Sequence, residues 1–395
     1  MSPRSRPMPS RIHGDFHMTT STAPAGALTL EQMNRQLAAF PGYRVAAQAP
    51  AAAHRDAVLR LFGGPLTPLM AATDAQGRFA QAALNCPPTA CTGKLELAPG
   101  AQTQAWRNPD AIECVFCVEG SVQLRYGRQL EHSLTLGRFD MVAVPANLRH
   151  QIANAGADTA RTVNVLSVAP GGHFDAVFDT ALAAQVPADA ALALGVRFDA
   201  EAGDVADPAV VQGRVTRFET LVPYKKDLNR TSGLPPEATE ALSAGNVFPL
   251  IVPEGHVGRS RTAPMYGHQG LYISIAECRA GTDGPPPHAH SDTQESFYVL
   301  DGTFDMCTGF HNETTVKVQP NDLIAMPNKV MRTFCNTTGR PARLLVIIQG
   351  PDRMSDTVSF SREIGQDFAK RFGEETIEAY SKIRMTFDAE ERVGI

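Results

Sequence analysis

The hydrophobic and polar positions of this chain divide it into two blocks of β-type segments framed by helical ends. From about residue 45 to residue 169, short runs rich in β-branched and aromatic residues are separated by Gly, Pro and Asn. A second block of the same kind extends from about residue 247 to residue 349. Short strands at this spacing are typical of a β-sandwich or β-barrel. The predicted strands are Lys94–Leu97, Cys114–Val118, Ser121–Tyr126, Met141–Val144, Thr162–Val168, Leu271–Glu277, Ser296–Leu300, Thr303–Cys307, Leu323–Met326 and Arg343–Ile348.

The N-terminal end is predicted to contain a disordered extension followed by one short helix. Residues 1–17 hold three Arg, three Pro and no apolar core, so we interpret residues 1–28 as disordered. Met18 is a candidate natural start, and a targeting peptide is the alternative. Thr29-Leu30-Glu31-Gln32 resembles a capping box and precedes apolar residues at helical spacing up to Pro41. This pattern predicts a helix at residues 29–44.

Two further segments complete the predicted domain organisation. Residues 171–234 are rich in Ala, Asp and Gly with weak periodicity, which indicates a connector that lies on both neighbouring domains. Beyond the second block, Ile364, Phe368 and Phe372 form one apolar stripe, which continues after Gly373. Because a stripe at this spacing predicts a helix, residues 351–395 are expected to form a C-terminal helical tail.

The composition favours a globular protein that acts on small molecules. The chain has 395 residues, of which 43% are hydrophobic, and its formal net charge is −5. Lys and Arg form no long basic run, which argues against nucleic acid and anionic membranes as partners. No window approaches the roughly 18 apolar residues that a membrane span needs. We therefore expect a soluble protein.

The cysteines indicate a reducing compartment. The chain has seven Cys without the spacing of a disulfide framework, which fits reduced thiols and a cytoplasmic location. Cys114 and Cys117 have the spacing of a zinc or redox motif. In a strand, however, residues three apart face opposite sides, so we interpret this pair as apolar strand residues.

The two β blocks form an internal repeat. One offset of 182 positions relates the pairs Glu113 and Glu295, Gly120 and Gly302, Asp140 and Asp322, Pro145 and Pro327, and Asn154 and Asn336. A single offset over more than forty residues indicates a duplicated domain.

The second block contains the clearest candidate chemistry. In an extended His288-Ala289-His290, both imidazoles point to the same face. The polar run that follows predicts a turn, which returns Glu295 to the histidines. Two His and one carboxylate with positions left open is the ligand set of non-haem Fe(II) oxygenases, and it could also hold Mn, Ni, Cu or Zn. His288, His290 and Glu295 are therefore the predicted metal ligands.

The same stretch resembles a known family. The pattern Gly-x6-His-x-His-x4-Glu-x6-Gly between Gly281 and Gly302 resembles the first cupin motif, with one residue more than usual before the first His. Asp322-x4-Pro327 and Asn336 resemble the second motif. The resemblance covers both blocks, roughly residues 45–170 and 235–350.

An all-β fold is what this resemblance implies. The fold would consist of two cupin barrels in tandem, each a double-stranded β-helix of the jelly-roll kind, with helical N- and C-terminal extensions outside them. Metal-binding cupins hold the ion inside the barrel with the two His and the Glu of the first motif and a His of the second.

Arg332 stands where the second motif would supply the fourth ligand. A guanidinium stays protonated and cannot ligate a metal. One interpretation is a three-ligand site in which Arg332 points inward and anchors an anionic oxygen of the substrate as a catalytic and binding residue. The alternative is that Arg332 forms an ion pair with Glu295 and replaces the metal.

The first barrel departs further from the ligand pattern. The positions equivalent to the two His hold Trp106 and Asn108, while Glu113 and His150 remain at ligand positions. One carboxylate and one imidazole make a poor metal site. The N-terminal barrel is therefore expected to be structural, or to bind a ligand without metal.

Three further residues are predicted to surround the substrate. Phe297 shares strand parity with Glu295, and Phe334 lies beside Arg332, so both are expected to line the cavity. His268 is the predicted spare pocket-lining histidine.

The resemblance implies a function. Two-barrel cupins with an open His/His/Glu site and aromatic lining resemble dioxygenases that cleave a C–C bond of small phenolic, aromatic or diketone-like substrates. Fe(II) is the expected metal, O2 and a small molecule are the expected partners, and a homodimer is a family expectation. The alternatives are a metal-dependent isomerase or lyase, and a non-catalytic ligand-binding protein.

Overall fold

The chain folds into two β-barrels, as a computed structural model shows. The structure describes residues 23–47, 51–205, 207–254, 256, 263–268, 270–281, 283–351 and 356–393. The first half contains α1 Leu30–Arg35, β1 Leu37–Ala38, α2 Gly42–Ala47, α3 Ala52–Phe62, β2 Leu66–Ala71, β3 Leu84–Asn85, β4 Ala90–Leu97, β5 Trp106–Arg107, β6 Ala111–Glu119, β7 Val122–Tyr126, β8 His132–Leu136, β9 Met141–Val144, β10 His150–Asn154 and β11 Ala160–Val168.

The remaining elements form the connector, the second barrel and the C-terminal end. The connector contains β12 Ala176–Asp179, α4 Ala188–Ala193, β13 Val196–Asp199, α5 Pro208–Gln212, β14 Val215–Thr216, α6 Tyr224–Ser232 and α7 Pro236–Glu240. The second barrel contains β15 Asn246–Pro253, β16 Met265–Gly267, β17 Leu271–Cys278, β18 His288–His290, β19 Gln294–Asp301, β20 Phe304–Thr308, β21 Thr314–Val318, β22 Leu323–Met326, β23 Arg332–Asn336 and β24 Ala342–Gln349. The end contains β25 Val358–Phe360, α8 Arg362–Phe372, α9 Glu374–Lys382, β26 Met385–Thr386 and α10 Ala389–Arg392.

Each barrel is built from a seven-stranded and a six-stranded sheet. In the N-terminal barrel the strand orders are β14-β9-β6-β11-β4-β2-β3 and β13-β12-β5-β10-β7-β8. In the C-terminal barrel they are β1-β22-β19-β24-β17-β15-β16 and β21-β20-β23-β18-β25-β26. The prediction of an all-β fold with two tandem barrels is confirmed.

Equivalent residues of the repeat make equivalent hydrogen bonds. The carboxylate of Asp140 accepts from the backbone N–H of Gly137, and that of Asp322 accepts from Gln319, both at 2.9 Å. In the same way, the side-chain oxygen of Asn336 accepts from a backbone N–H two residues later at 2.9 Å, as that of Asn154 does at 2.8 Å. The offset read from the sequence therefore marks residues that hold the same turns.

The segment preceding each barrel docks onto the other barrel. Strand β1 pairs with β22 of the C-terminal barrel, and β14 pairs with β9 of the N-terminal barrel. The backbone N–H of Phe40 donates to Asp322 at 2.7 Å, and that of Phe218 donates to Asp140 at 3.0 Å. The connector also contacts both halves of the chain, because β12 and β13 extend an N-terminal sheet while α6 packs against β15.

These contacts correct two expectations for the N-terminal end. The capping box at Thr29 is confirmed, but the helix ends at Arg35, because the next residues are extended and pair with β22. Residues 1–22, which include Met18, lie outside the described residues. Ala27 and Leu28 are ordered and buried, since the N–H of Leu28 donates to the Thr308 hydroxyl at 3.1 Å.

The seven-stranded sheets of the two barrels share one apolar core. The core contains Phe116, Met141 and Val165 from the first barrel, together with Ile275 and Leu345 from the second. Cys114 belongs to this shared core, whereas Cys117 belongs to the interior of the first barrel. The two thiols therefore face opposite sides of β6, as predicted, and all seven Cys are free.

The C-terminal end is partly helical and partly strand. The predicted apolar stripe lies on α8 and α9, which are separated at Gly373. A strand that was not predicted, β25, pairs with β18, and β26 pairs with β25. These strands complete a barrel sheet, so the expected helical tail is corrected to a mixed segment. In the part of the chain described, no helix has the length and apolar character needed to cross a membrane.

Candidate metal centre

Three predicted ligand residues converge inside the C-terminal barrel. His288 and His290 lie on β18, where the alternation of a strand points both imidazoles inward. The bend after His290 returns the chain, so that Glu295 near the start of β19 faces them. One donor atom from each residue lies within 4.8 Å of the other two, and all three residues are buried.

Hydrogen bonds orient both imidazoles toward the carboxylate. Nδ1 of His288 donates to the carbonyl oxygen of Pro286 at 2.9 Å, and Nδ1 of His290 donates to the carboxylate of Asp356. The Nε2 atoms then lie 3.8 Å and 3.4 Å from Oε2 of Glu295. In neutral rings with the proton on Nδ1, these Nε2 atoms carry lone pairs. Three electron-rich donors therefore face one another, which is an arrangement that a cation stabilises.

The electrostatics of the site favour the metal-binding forms of His288 and Glu295. Burial lowers the pKa of His288, although the facing Glu295 opposes this effect. Burial alone would raise the pKa of Glu295, but His290 and His288 in their protonated forms, together with Arg332, outweigh it and hold this pKa at about 2. A neutral imidazole and an ionised carboxylate are the forms that metal binding requires.

Arg332 lies behind Glu295 and is completely buried. It occupies the start of β23, opposite His288 in the sheet register. Its Nε donates to the carbonyl of Val330 at 3.2 Å and its Nη2 to that of Pro327 at 2.7 Å. Its Nη1 lies 3.4 Å from Oε2 of Glu295. The guanidinium is therefore held by the barrel wall and by the candidate ligand.

A small cavity of about 80 Å³ adjoins the three ligands. Its walls are mostly apolar, with the hydroxyl-bearing side chains of Tyr272 and Ser274 from β17. The connector contributes Tyr224, and the C-terminal end contributes Val358 and Met385. Three separate parts of the chain thus line the cavity beside the candidate centre.

Of the four residues predicted to contact substrate, the structure brings one into this cavity. Phe334 lines it, whereas Arg332, Phe297 and His268 are not among its lining residues. Phe297 is completely buried and packs behind Phe334, with ring centroids 5.1 Å apart. Strand parity gave the correct side for Phe297 but not its depth in the barrel. His268 follows the edge strand β16 at the margin of the sheet, where burial and Arg214 lower its pKa.

Sequence reasoning missed Asp356, which contacts His290. Asp356 lies 66 residues after its partner and belongs to no motif. It also missed Tyr224 and Tyr272 in the cavity wall. Their positions depend on which segments fold over the barrel mouth, and the sequence carried no signal for this.

The equivalent position of the N-terminal barrel is filled by a closed polar network. Glu113 accepts from the side-chain amides of Asn108 at 2.6 Å and Asn164 at 2.7 Å, and it lies 3.3 Å from Nε2 of His150. The ring of Trp106 packs against His150, with centroids 4.2 Å apart. Burial would raise the pKa of Glu113, but His150 and the other partners hold it at about 2. Within the described ranges, His288, His290 and Glu295 form the one group of three or more candidate metal ligands.

Comparisons with known proteins agree with the observed fold. The sequence matches the cupin domain family twice, at residues 93–166 and 274–348. No curated protein matched it.

Among solved structures, the chain is similar to a salicylate 1,2-dioxygenase from Pseudaminobacter salicylatoxidans. The two sequences are 14% identical, the match covers 85% of this chain and 87% of that chain, and the TM-score is 0.47. Vicilin from hazelnut, Corylus avellana, has 12% identity, coverage of 82% and 93%, and a TM-score of 0.45. Oxalate decarboxylase from Bacillus subtilis has 16% identity, coverage of 68% and 70%, and a TM-score of 0.42.

These similarities are too distant to carry chemistry from one protein to another. The two matches to the cupin domain family fall on the two barrels. The chain is a protein of two cupin domains in tandem.

Proposed function

We propose that the C-terminal cupin domain is a metal-dependent enzyme that uses O2 to cleave a C–C bond of a small phenolic, aromatic or diketone-like substrate. The observation that carries the proposal is the convergence of His288, His290 and Glu295 within 4.8 Å, buried beside a cavity. Two imidazoles and one carboxylate form the facial set found in non-haem iron oxygenases. A bound Fe(II) would supply Lewis acidity and the redox chemistry that O2 requires.

The residues present fit a divalent metal. Both imidazoles give their Nδ1 proton to a fixed acceptor, so that their Nε2 lone pairs face the carboxylate of Glu295. This pattern is the usual outer support of metal-ligating histidines. His288, His290 and Glu295 would hold the ion.

We infer that Arg332 supports the carboxylate of Glu295 and does not bind the substrate. Its guanidinium is completely buried and bonds to two backbone carbonyls and to Glu295. In this role Arg332 fixes the orientation of the carboxylate and compensates part of its charge. The sequence-based prediction of a substrate-anchoring Arg332 finds no support in the lining of the cavity.

The cavity favours a small substrate. It has a volume of about 80 Å³ and is partly open to solvent. A small phenolic, aromatic or diketone-like molecule fits such a space better than a flavonol. The apolar wall, including Phe334 and Val358, would contact the apolar part of the substrate and leave its polar end toward the ligands.

Oxygen consumption tests this proposal. Protein that has been reconstituted anaerobically with Fe(II) and then exposed to air should take up O2 in the presence of a small phenolic or diketone substrate, for which catechol and 2,4-pentanedione are the probes. H288A should lose the uptake, whereas H311A, a change at an exposed His of the same barrel, should retain it. Turnover of the metal-loaded protein without O2 would favour an isomerase or lyase instead.

A specific contact also favours a second candidate, a non-catalytic binding protein. Arg332 lies 3.4 Å from Glu295, and this ion pair could take the place of the metal. Under this alternative, the purified protein would carry no stoichiometric metal and would not bind added Fe(II). Metal content therefore separates the two candidates.

A further inference from the structure

The carboxylate of Asp356 is buried at the centre of a hydrogen-bonded turn. Asp356 opens the C-terminal segment, defined here as residues 356–393, and its side chain is 8% exposed. Its Oδ2 accepts from Nδ1 of His290 and from the hydroxyl of Thr293, the latter at 3.0 Å. Its Oδ1 accepts from the backbone N–H of Asp292 at 3.0 Å and from the hydroxyl of Ser291 at 3.2 Å. The turn between β18 and β19 therefore wraps around this one carboxylate.

This contact determines how His290 presents its ring. A carboxylate can only accept, so the imidazole proton lies on Nδ1 and the lone pair of Nε2 faces Glu295 at 3.4 Å. A carboxylate partner also makes the ligating nitrogen more basic. His288 is oriented differently, by the backbone carbonyl of Pro286. Nδ1 of His290 also lies 3.0 Å from the hydroxyl oxygen of Thr293, whose own proton is donated to Asp356. The orientation of His290 thus depends on a side chain that comes from outside the cupin motifs.

The rest of the C-terminal segment binds the strand that carries both histidines. In the pairing of β25 with β18, His288 lies opposite Phe360 and His290 lies opposite Val358. The backbone N–H of Ser291 donates to the carbonyl of Thr357 at 3.0 Å. Val358 and Met385 of the segment also line the cavity. Docking of the segment therefore completes both the support of His290 and the cavity wall.

We propose that Asp356 is a positioning residue for His290, and that docking of the C-terminal segment and metal binding favour each other. The proposal rests on the metal site of the proposed function. If a docked segment strengthens metal binding, then bound metal must stabilise the docked segment by the same factor, because such coupling is reciprocal. Removal of an outer partner of a metal-ligating His typically weakens metal affinity about 10- to 100-fold.

Titration with Co²⁺ alone tests the positioning role. D356A should bind Co²⁺ about 10- to 100-fold more weakly than the wild type, with a changed visible absorption spectrum of the bound ion. D356N keeps an oxygen that can accept from His290, so its loss should be smaller, roughly three- to tenfold. The matched control is D367N, which changes an exposed carboxylate of α8 paired with Arg371 and should leave the affinity within about twofold.

Hydrogen exchange tests the coupling and does not depend on activity. The backbone N–H of Val358 donates to the carbonyl of Arg384 at 2.9 Å and reports on docking of the segment. Addition of Co²⁺ to the wild type should slow exchange in residues 356–360. In D356A this slowing should be absent, whereas in D367N it should match the wild type.

The possible outcomes separate this inference from the proposed function. A wild type that does not bind Co²⁺ would contradict the metal site itself. Binding by the wild type, with unchanged affinity, spectrum and exchange in folded D356A, would overturn the role of Asp356 and leave the metal site standing. If D356A does not fold, D356N takes its place in the test. A Co²⁺ affinity of D356N equal to that of the wild type would then overturn the inference.

Discussion

At the scale of single residues, the two barrels place a glutamate at equivalent positions and surround it differently. Glu113 accepts from two amide groups and faces His150, so its partners fill the space around it. Glu295 faces the lone pairs of two imidazoles and the guanidinium of Arg332. The first carboxylate already has two amide donors, whereas the second adjoins a cavity and faces two imidazole nitrogens that could bind a cation with it.

Replacement of Arg332 by His should strengthen metal binding in the C-terminal barrel. The new imidazole would stand at the position of the fourth cupin ligand, and a buried positive charge beside the ion would be removed. We expect the affinity for Zn²⁺ or Co²⁺ to rise roughly tenfold, measured by competition with a chelator. R340H, a change at an exposed residue, is the control and should leave the affinity unchanged. Equal or weaker binding by R332H would contradict this prediction and would mean that the support Arg332 gives Glu295 outweighs the gain of a fourth ligand.

Glu113 should make stability depend on pH in a defined direction. Its pKa is held at about 2, below the ordinary 4.5, by His150, Arg78 and Asn164 against the effect of burial. A lowered folded pKa contributes stability above about pH 4.5, and this contribution is lost as the pH falls toward 2. The advantage of the wild type over E113Q should therefore shrink by about 2 kcal/mol between pH 6 and pH 3.

Urea denaturation of both proteins across this range measures the difference. E237Q, at an exposed position of α7, is the matched control and should show no such pH-dependent difference. A constant gap between wild type and E113Q would mean that Glu113 is not held in its ionised form by this network.

The sequence predicted part of this residue-scale picture. The first motif identified three residues that the structure brings together, and subtraction of the repeat offset identified Trp106, Asn108, Glu113 and His150 as a cluster in the first barrel. It could not place Arg332 relative to the cavity, because strand parity gives the side of a residue and not its depth. Asp356 was not predictable, since its contact joins residues 66 positions apart without a motif.

At the scale of elements, short exchanged strands tie the two barrels together. Strand β1 of the N-terminal end lies on the C-terminal barrel, and β14 of the connector lies on the N-terminal barrel. Each barrel uses an aspartate of the second motif, Asp322 or Asp140, to accept from the backbone of the incoming segment. The aspartate of the second motif therefore binds the incoming segment in addition to stabilising its own turn.

Loss of the Asp322 carboxylate should destabilise the docking of β1. D322A would leave the N–H groups of Phe40 and Gln319 without their acceptor, which we expect to cost about 1–3 kcal/mol of unfolding free energy. Chemical denaturation measures this, and hydrogen exchange near Phe40 should rise. D305A, which breaks an exposed pair with Lys317, should change stability by less than about 0.5 kcal/mol. An effect of D322A no larger than that of D305A would contradict the docking role.

Short strands that pair with a distant part of the chain could not be predicted from local sequence patterns. β1 has two residues, and its partner Leu323 lies almost three hundred positions away. The apolar spacing around Leu37 is compatible with helix, and only the partner strand makes it extended. The same applies to β25, whose Val358 and Phe360 pair with β18 in a segment that otherwise has helical periodicity. The longer barrel strands, by contrast, were predicted from their composition and spacing.

At the scale of the whole molecule, the two barrels pack against each other, and the C-terminal barrel contains the candidate metal centre. The seven-stranded sheets share a single apolar core that includes Phe116 and Leu345. The cavity of the C-terminal barrel is lined in part by the connector and by the C-terminal segment, through Tyr224 and Val358. The expected homodimer remains a prediction, as do the predicted boundaries of the two barrels.

The most direct test is the metal content of protein purified without chelator and reconstituted with Fe(II) or Zn²⁺. We predict about one ion per chain in the wild type, almost none in H288A, and about one in H150A, which alters only the N-terminal barrel. No bound metal in the wild type, or equal metal in wild type and H288A, would contradict a metal centre at His288, His290 and Glu295.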